Sequence, residues 1–155
     1  MADLFASVHH LCWRAVAAGR EAHALAGTTR AGRYNRPGER TLYMSGSAGA
    51  VAAAMARYGD AERVLLRLRV AASRLVDLRD ARGCAALEID PRRAKEDWLA
   101  ALNRGEEPAS WTVSDRARVL GASGLIDASR RAPGAWHLAL FRWNEGDAPM
   151  VVVDD

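Results

Sequence analysis

The sequence predicts a single α+β domain over residues 1–155. Three observations lead there. Short apolar or alternating runs recur along the chain, each bounded by Gly, Pro, Asn or Asp, as strands are. Only three stretches carry helical patterning and helix punctuation. The order mixes strands and helices without internal repeats or a low-complexity tail, which suits one α+β unit. A chain of 155 residues can bury roughly 70% of its unfolded surface in one core.

The elements follow in order. The first strand lies near His10 to Val16 and carries Trp13. Residues 17–31 are rich in Ala, Gly and Thr and unpatterned, which suits a mobile loop over a site. Pro37-Gly38 sets a tight turn, because proline presets φ and glycine accepts a positive one. Thr41-Leu42-Tyr43-Met44 is a brief strand. Ser47 can cap the helix after it, with Ala50, Val51, Ala54 and Met55 as a narrow apolar face and Gly59 as its C-terminal stop. Strands are expected at Val64–Val70 and Arg74–Leu78, with Ala71-Ala72-Ser73 between them.

Asp90 and Pro91 open a second helix as N-cap and first-turn proline, with Trp98, Leu99 and Leu102 as its buried stripe. A third helix is expected from about Ser114 to Ala122, with Val113, Ala117 and Leu120 inward. Leu125-Ile126 reads as a short buried strand. Past Pro133-Gly134, the segment from Trp136 to Trp143 alternates Trp136, Leu138 and Leu140 against His137, Ala139 and Phe141. Pro149–Val153 is the last strand.

Composition narrows the class of function. The net charge is +3, and the 22 basic residues are scattered; Lys95 is the only lysine. Arg63, Arg67 and Arg69 alternate with Val64, Leu66 and Leu68, which reads as a solvated strand face before a phosphate-binding one. Direct nucleic-acid binding is therefore the weakest reading. Cys12 and Cys84 fit no CxxC spacing and point to a reducing compartment, with Cys12 buried in an apolar run. No apolar stretch approaches the roughly 20 residues that cross a bilayer. The first residues lack the charged start and cleavage site of a signal peptide. A cytoplasmic protein without membrane contact is the expectation.

The densest stretch runs from Gly32 to Gly59. Gly32-Arg33-Tyr34-Asn35, Pro37-Gly38 and Leu42-Tyr43 follow one another there, then the Ala-rich helix. Upstream stands Cys12-Trp13-Arg14; downstream stand Gly124-Leu125-Ile126-Asp127-Ala128-Ser129 and Leu138-Ala139-Leu140-Phe141. In order and spacing, this set resembles the RES domain, named for its Arg, Glu and Ser, the toxin half of many bacterial toxin–antitoxin pairs. The resemblance runs from about Leu11 to about Phe141. It implies a compact β-sandwich of short, mostly antiparallel strands with about three helices, ADP-ribosyltransferase-like, with NAD in its cleft. There are two departures. The family's glutamate falls eleven residues after the strand tyrosine, and that position is Ala54; the tyrosine that often follows the first arginine is Ala15.

The resemblance assigns roles that chemistry supports. Cleaving the nicotinamide–ribose bond builds positive charge on the ribose, as in glycoside hydrolysis. Arg14 and Arg33 would grip the diphosphate, since the planar guanidinium binds phosphate oxygens bidentately. Tyr43 would stack on the nicotinamide or donate to the ribose, and Ser129 would hydrogen-bond the ribose side. Arg14, Tyr43 and Ser129 are thus the catalytic candidates, and Arg14, Arg33, Tyr43 and Ser129 the cofactor-binding ones. A core tyrosine and a turn-forming serine are the plainer readings of Tyr43 and Ser129. Tyr34 and Asn35 read as shaping their turn.

Asp60, Glu62, Glu88 and Asp90 are the candidate replacements for the missing acid. His9-His10 and His137 lack partners at metal-ligand spacing, so no metal is expected; His10 or His137 could do acid–base work, or simply sit at strand edges. NAD would be a co-substrate. The implied function is a toxin that cleaves NAD and ADP-ribosylates a cellular protein, held in check by an Xre/ParS-type antitoxin that blocks the cleft. Two alternatives stay open: NAD depletion by hydrolysis or phosphorolysis, and a catalytically weak antitoxin-binding or NAD-binding module.

Overall fold

The computed structural model describes residues 3–55 and 62–154. Its strands are β1 (Ala6–Ala17), β2 (Leu42–Ser45), β3 (Arg63–Asp77), β4 (Gly124–Ala128), β5 (Trp136–Leu140) and β6 (Met150–Val153). They form one sheet in the order β1-β2-β5-β4-β3-β6, and β1 also pairs with β3. The sheet therefore curls back on itself. All pairings are antiparallel except β3 with β4. Among the described residues the α-helices are α1 (Ala48–Met55), α2 (Ala81–Ala86), α3 (Trp98–Asn103) and α4 (Ser110–Val119). The α+β expectation holds, with one more short helix than the sequence suggested.

Alternation along the strands decides what each face carries. Cys12, Leu42, Met44, Leu68, Val70, Ile126, Leu138 and Leu140 point to the inside of the curl and pack as one buried cluster with Trp143 and Val151. Burial pushes the Cys12 thiol up to about 12, so it stays an inert thiol at neutral pH. The outer face of β4 and β5 carries Leu125 and Ala139, which pack with Tyr34, Cys84, Ile89, Ala94, Val113 and Ala117 from the loops and helices. The domain thus has two apolar layers sharing one sheet.

Three local expectations are corrected. The two strands expected at Val64–Val70 and Arg74–Leu78 are one strand, β3, whose Ala71 and Ala72 keep pairing with His9 and Val8. The irregularity instead falls beside them, as a register shift between Ala6 and Val8 and a positive φ of 59° at Arg74. The helix expected from Asp90 is two pieces. Asp90 caps only a 3-10 turn (Pro91–Lys95), Glu96 is extended, and Asp97 caps α3 by accepting the Ala100 N–H. A second cap inside the run breaks it, and Ala101, not the stripe of Trp98, Leu99 and Leu102, is the buried residue there. The third helix begins earlier, at Ser110, with Ala109 as its N-cap residue and Pro108 just before it.

The short α2, capped by Asp80 and burying Cys84, lacks enough length to show helical periodicity. Ser47 does cap α1, its Oγ accepting the Ala50 N–H at 3.1 Å. The Gly59 stop lies outside the described residues. Arg67 and Arg69 on β3 both reach Asp154, at 2.8 and 2.7 Å, which makes that arginine row a solvated face with its own partner.

Candidate active site

The turn Gly32-Arg33-Tyr34-Asn35 is fastened from three directions. Within it, the Gly32 N–H donates to the Asn35 carbonyl at 3.1 Å. From β2, the Tyr43 hydroxyl donates to Asn35 Oδ1 at 2.6 Å and accepts the Tyr34 N–H at 3.0 Å. From α4, Trp111 Nε1 donates to the Gly32 carbonyl at 2.8 Å and Arg118 donates to the Tyr34 carbonyl at 3.0 Å. Asn35, fully buried, spends its amide on the carbonyls of Arg30 and Arg36. Glycine is required at 32: a Cβ there would stand 2.6 Å from Asn35 Oδ1 and 2.8 Å from the Tyr43 hydroxyl. Tyr34 and Asn35 therefore do shape the turn.

This fastening aims Arg33 outward beside β4. Its Nη1 donates to the carbonyls of Ala94 and Glu96 at 2.9 and 3.0 Å. Arg130 reaches the same two carbonyls from the loop after β4. Two guanidinium groups thus share one anchorage, and burial together with the nearby Arg33 charge lowers the Arg130 pKa. Ser129, next to Arg130, accepts the N–H groups of Arg131 and Ala132 at 3.4 and 3.1 Å, so its hydroxyl shapes the corner that presents Arg130.

Arg14 behaves differently. Its Nε donates to the Ala24 carbonyl at 3.1 Å and its Nη1 to the Tyr43 carbonyl at 2.7 Å. By alternation it lies on the face of Cys12, opposite to the Tyr43 side chain. Burial lowers its pKa. Tyr43 has its hydroxyl pKa raised by burial, that hydroxyl is occupied on both sides, and its partly buried ring packs against the outer apolar cluster. The structure thus gathers Arg33, Tyr43 and the Ser129 corner on one side of the sheet, with Arg14 behind it.

One register row runs across the same face: Ser45 on β2, His137 on β5 and Asp127 on β4. Ser45 Oγ and His137 Nδ1 are 2.7 Å apart. The Tyr34 hydroxyl donates to Asp127 Oδ2. Burial and the Asp127 charge raise the Tyr34 pKa well above its ordinary value, so it remains a donor. Burial lowers the His137 pKa from 6.5; Asp127 opposes that shift and Arg33 adds to it.

The sequence reading missed Asp127 as a functional candidate, and Arg130 with it. The period-2 pattern of β4 and β5 was the available signal, since it sets both Asp127 and His137 on the face opposite Ile126 and Leu138. The other candidate carboxylates lie elsewhere. Glu88 pairs with Arg116 at 3.0 Å, Asp90 caps its turn and binds Arg92 at 3.0 Å, and Asp60 is outside the described residues. Glu62 is exposed, and its backbone carbonyl accepts the Ala18 N–H. Ala54 sits on α1, which packs on β1 and β2.

A separate cavity of about 230 Å³ opens at the same end of the sheet but on the inner face. Ser7, Val8, His9, His10, Arg79, Ile126 and Trp136 line it. It is smaller than the roughly 300–1,000 Å³ of small-molecule sites. Among the described residues no group of His, Cys, Asp and Glu could hold a metal ion, and no helix is long and apolar enough to cross a membrane.

The RES domain profile matches residues 11–155. The chain belongs to the RES domain family. Its fold is similar to that of a chain in the crystal structure of the M. tuberculosis MbcT-MbcA toxin-antitoxin complex, with a TM-score of 0.68 and 17% identity over 96% of this chain and 86% of that one. Among curated proteins no significant match exists. At that identity the structural likeness establishes the RES fold alone. The geometry above is what bears on this RES domain's own chemistry.

Proposed function

We propose that this RES domain is the toxin of a toxin–antitoxin pair, a cytoplasmic enzyme that cleaves NAD and transfers ADP-ribose to a cellular protein. The observation that carries the reading is the paired anchorage of Arg33 and Arg130 beside Tyr43 and the Ser129 corner. Two guanidinium groups held side by side repel each other, and a diphosphate placed between them relieves that repulsion. Arg33 would grip the dinucleotide there, with Arg14 holding the strand behind it through the Tyr43 carbonyl. The Tyr43 ring would lie against the nicotinamide, and Ser129 would bound the ribose side. An Xre/ParS-type antitoxin covering this face is the partner the family suggests. The similar fold was solved in a toxin–antitoxin complex, which supports a partner of that kind.

Ala54 favours a second reading. Without the family acid, water is poorly activated, so transfer to a well-held macromolecular nucleophile gains over hydrolysis. A module that binds NAD or antitoxin but turns over slowly is the limit of that trend. The purified chain, mixed with labelled NAD and bacterial lysate, separates these cases. Label on a discrete protein with nicotinamide released in step supports transfer. Nicotinamide without protein label means hydrolysis or phosphorolysis. NAD binding with neither signal, and turnover gained by Ala54→Glu, means the module.

A further inference from the structure

We propose that Asp127 and His137 act as a carboxylate–imidazole pair at this site, Asp127 stabilising the cationic ribose in the role that Ala54 leaves vacant and His137 accepting the acceptor's proton. The inference rests on the NAD-cleaving reading and assigns its missing carboxylate. The two residues are directly opposed on β4 and β5, so their Cβ atoms lie roughly 5 Å apart, as in any cross-strand pair. Each is held from its far side. Tyr34, itself only 3% exposed, donates its hydroxyl to Asp127 Oδ2, and Ser45 Oγ holds His137 Nδ1 at 2.7 Å. In the tautomer whose Nδ1–H donates to Ser45 Oγ, Nε2 is the proton acceptor, and the proton-transfer step uses that tautomer.

The surroundings suit the task. Arg33 and Arg130 act on Tyr34 in opposition to Asp127, so this carboxylate stands within reach of the two arginines proposed to hold the diphosphate. A carboxylate in that place faces a cationic ribose anchored by its own phosphates. Burial keeps the imidazole neutral near neutral pH, with Asp127 on β4, Arg33 from its turn and Ser45 on β2 as the polar and charged groups facing it.

In the step itself, the bond between ribose C1′ and the nicotinamide nitrogen breaks. Its electron pair goes to the pyridinium nitrogen, which leaves as neutral nicotinamide. Asp127 stabilises the positive charge that develops at C1′. The acceptor's hydroxyl oxygen forms the new C1′–O bond, and its proton passes to Nε2 of His137. Tyr34 and Ser45 are positioning residues.

The test compares nicotinamide release, NAD affinity and the pH profile across single variants of the full chain. Asp127→Asn preserves size and the bond from Tyr34, and should lose about 100-fold in turnover with NAD affinity within about threefold. His137→Gln should lose the acid limb of the kcat/KM profile that the wild type shows below neutral pH. Tyr34→Phe should lower kcat and leave KM unchanged. Glu88→Gln and Asp90→Asn should match the wild type.

Asp127→Asn turning over at the wild-type rate, or a loss in Glu88→Gln or Asp90→Asn in its place, overturns the assignment while leaving NAD cleavage standing. If Asp127→Asn fails to fold by circular dichroism, the decision passes to His137→Gln, where an unchanged acid limb overturns the pair. A wild-type chain that neither binds nor consumes NAD overturns the NAD reading, and this assignment with it.

Discussion

Trp136 and His137 are neighbours in β5, yet they belong to two different regions. Trp136 faces inward, with His10 edge-on to it at 5.2 Å and the Arg79 guanidinium 5.9 Å from its ring, at the mouth of the 230 Å³ cavity. His137 faces outward, into the row with Ser45 and Asp127 beside the Arg33 turn. The inner cavity takes its polar lining from Ser7, His9, His10 and Arg79, the last already paired with Asp77 at 2.9 Å. The outer region has far more convergent chemistry: two arginines on one anchorage, a carboxylate with a fixed donor, and an imidazole whose pKa burial lowers. The cavity marks the first region, and the convergent chemistry marks the second. The sheet separates them by nothing more than the period-2 alternation of its strands.

The comparison can be broken from the inside first. Leu140→Ala removes a fully buried side chain from the inner cluster and should cost about 2–5 kcal/mol by denaturant unfolding. If the faces are independent, NAD affinity of the remaining folded protein should hardly change. On the outer side, Gly32→Ala should cost about 1–3 kcal/mol through overpacking, because the new methyl meets Asn35 and Tyr43. Here NAD affinity should fall as well, since the turn carries Arg33. A stable Gly32→Ala protein with unchanged affinity would mean that the turn does not present the site.

Tyr43→Phe is a finer probe. It strips the hydroxyl that satisfies Asn35 Oδ1 and the Tyr34 N–H, and should cost about 1–3 kcal/mol. Because the ring remains, NAD affinity should change less than stability does. The pH dependence sharpens the picture further. His137 is held below its ordinary 6.5, so the unfolded chain binds more protons there than the native one. Its contribution to stability is complete above about 6.5 and is lost as the pH falls from there toward the lowered value. Unfolding of His137→Gln should show a shallower loss of stability than the wild type over that acidic range. The smallest effect belongs to the β3 surface: Asp154→Asn should change stability by no more than about 1 kcal/mol, since its arginine partners are largely solvated.

Much of the fold was legible in the sequence because alternation and punctuation are local. The turn at Gly32–Asn35, the Ser47 cap and the apolar alternation of β5 all follow from neighbours in the chain. β3 reads as two strands because Ala71-Ala72-Ser73 has weak strand character, and pairing with β1, joined at Ala71 by β6, holds it together. The Asp90 helix reads as one because the cap at Asp97 competes silently with it. The site was half legible for a related reason. Arg33 and Tyr43 sit in a dense local motif, whereas Asp127 meets Tyr34 across 93 residues of chain and His137 by strand register, which no short window contains. That Arg14 and Arg33 have such different surroundings is likewise a tertiary fact, since both are arginines in apolar–aromatic contexts.

Mapping NAD binding by amide NMR on the isotope-labelled chain tests the central claim most directly. The account predicts that saturating NAD shifts the amides of Arg33, Asp127, Arg130 and His137 and leaves Val8, His10 and Arg79 nearly still. Shifts concentrated at Val8, His10, Arg79 and Trp136, with the outer row unmoved, would place the dinucleotide on the inner face and contradict it.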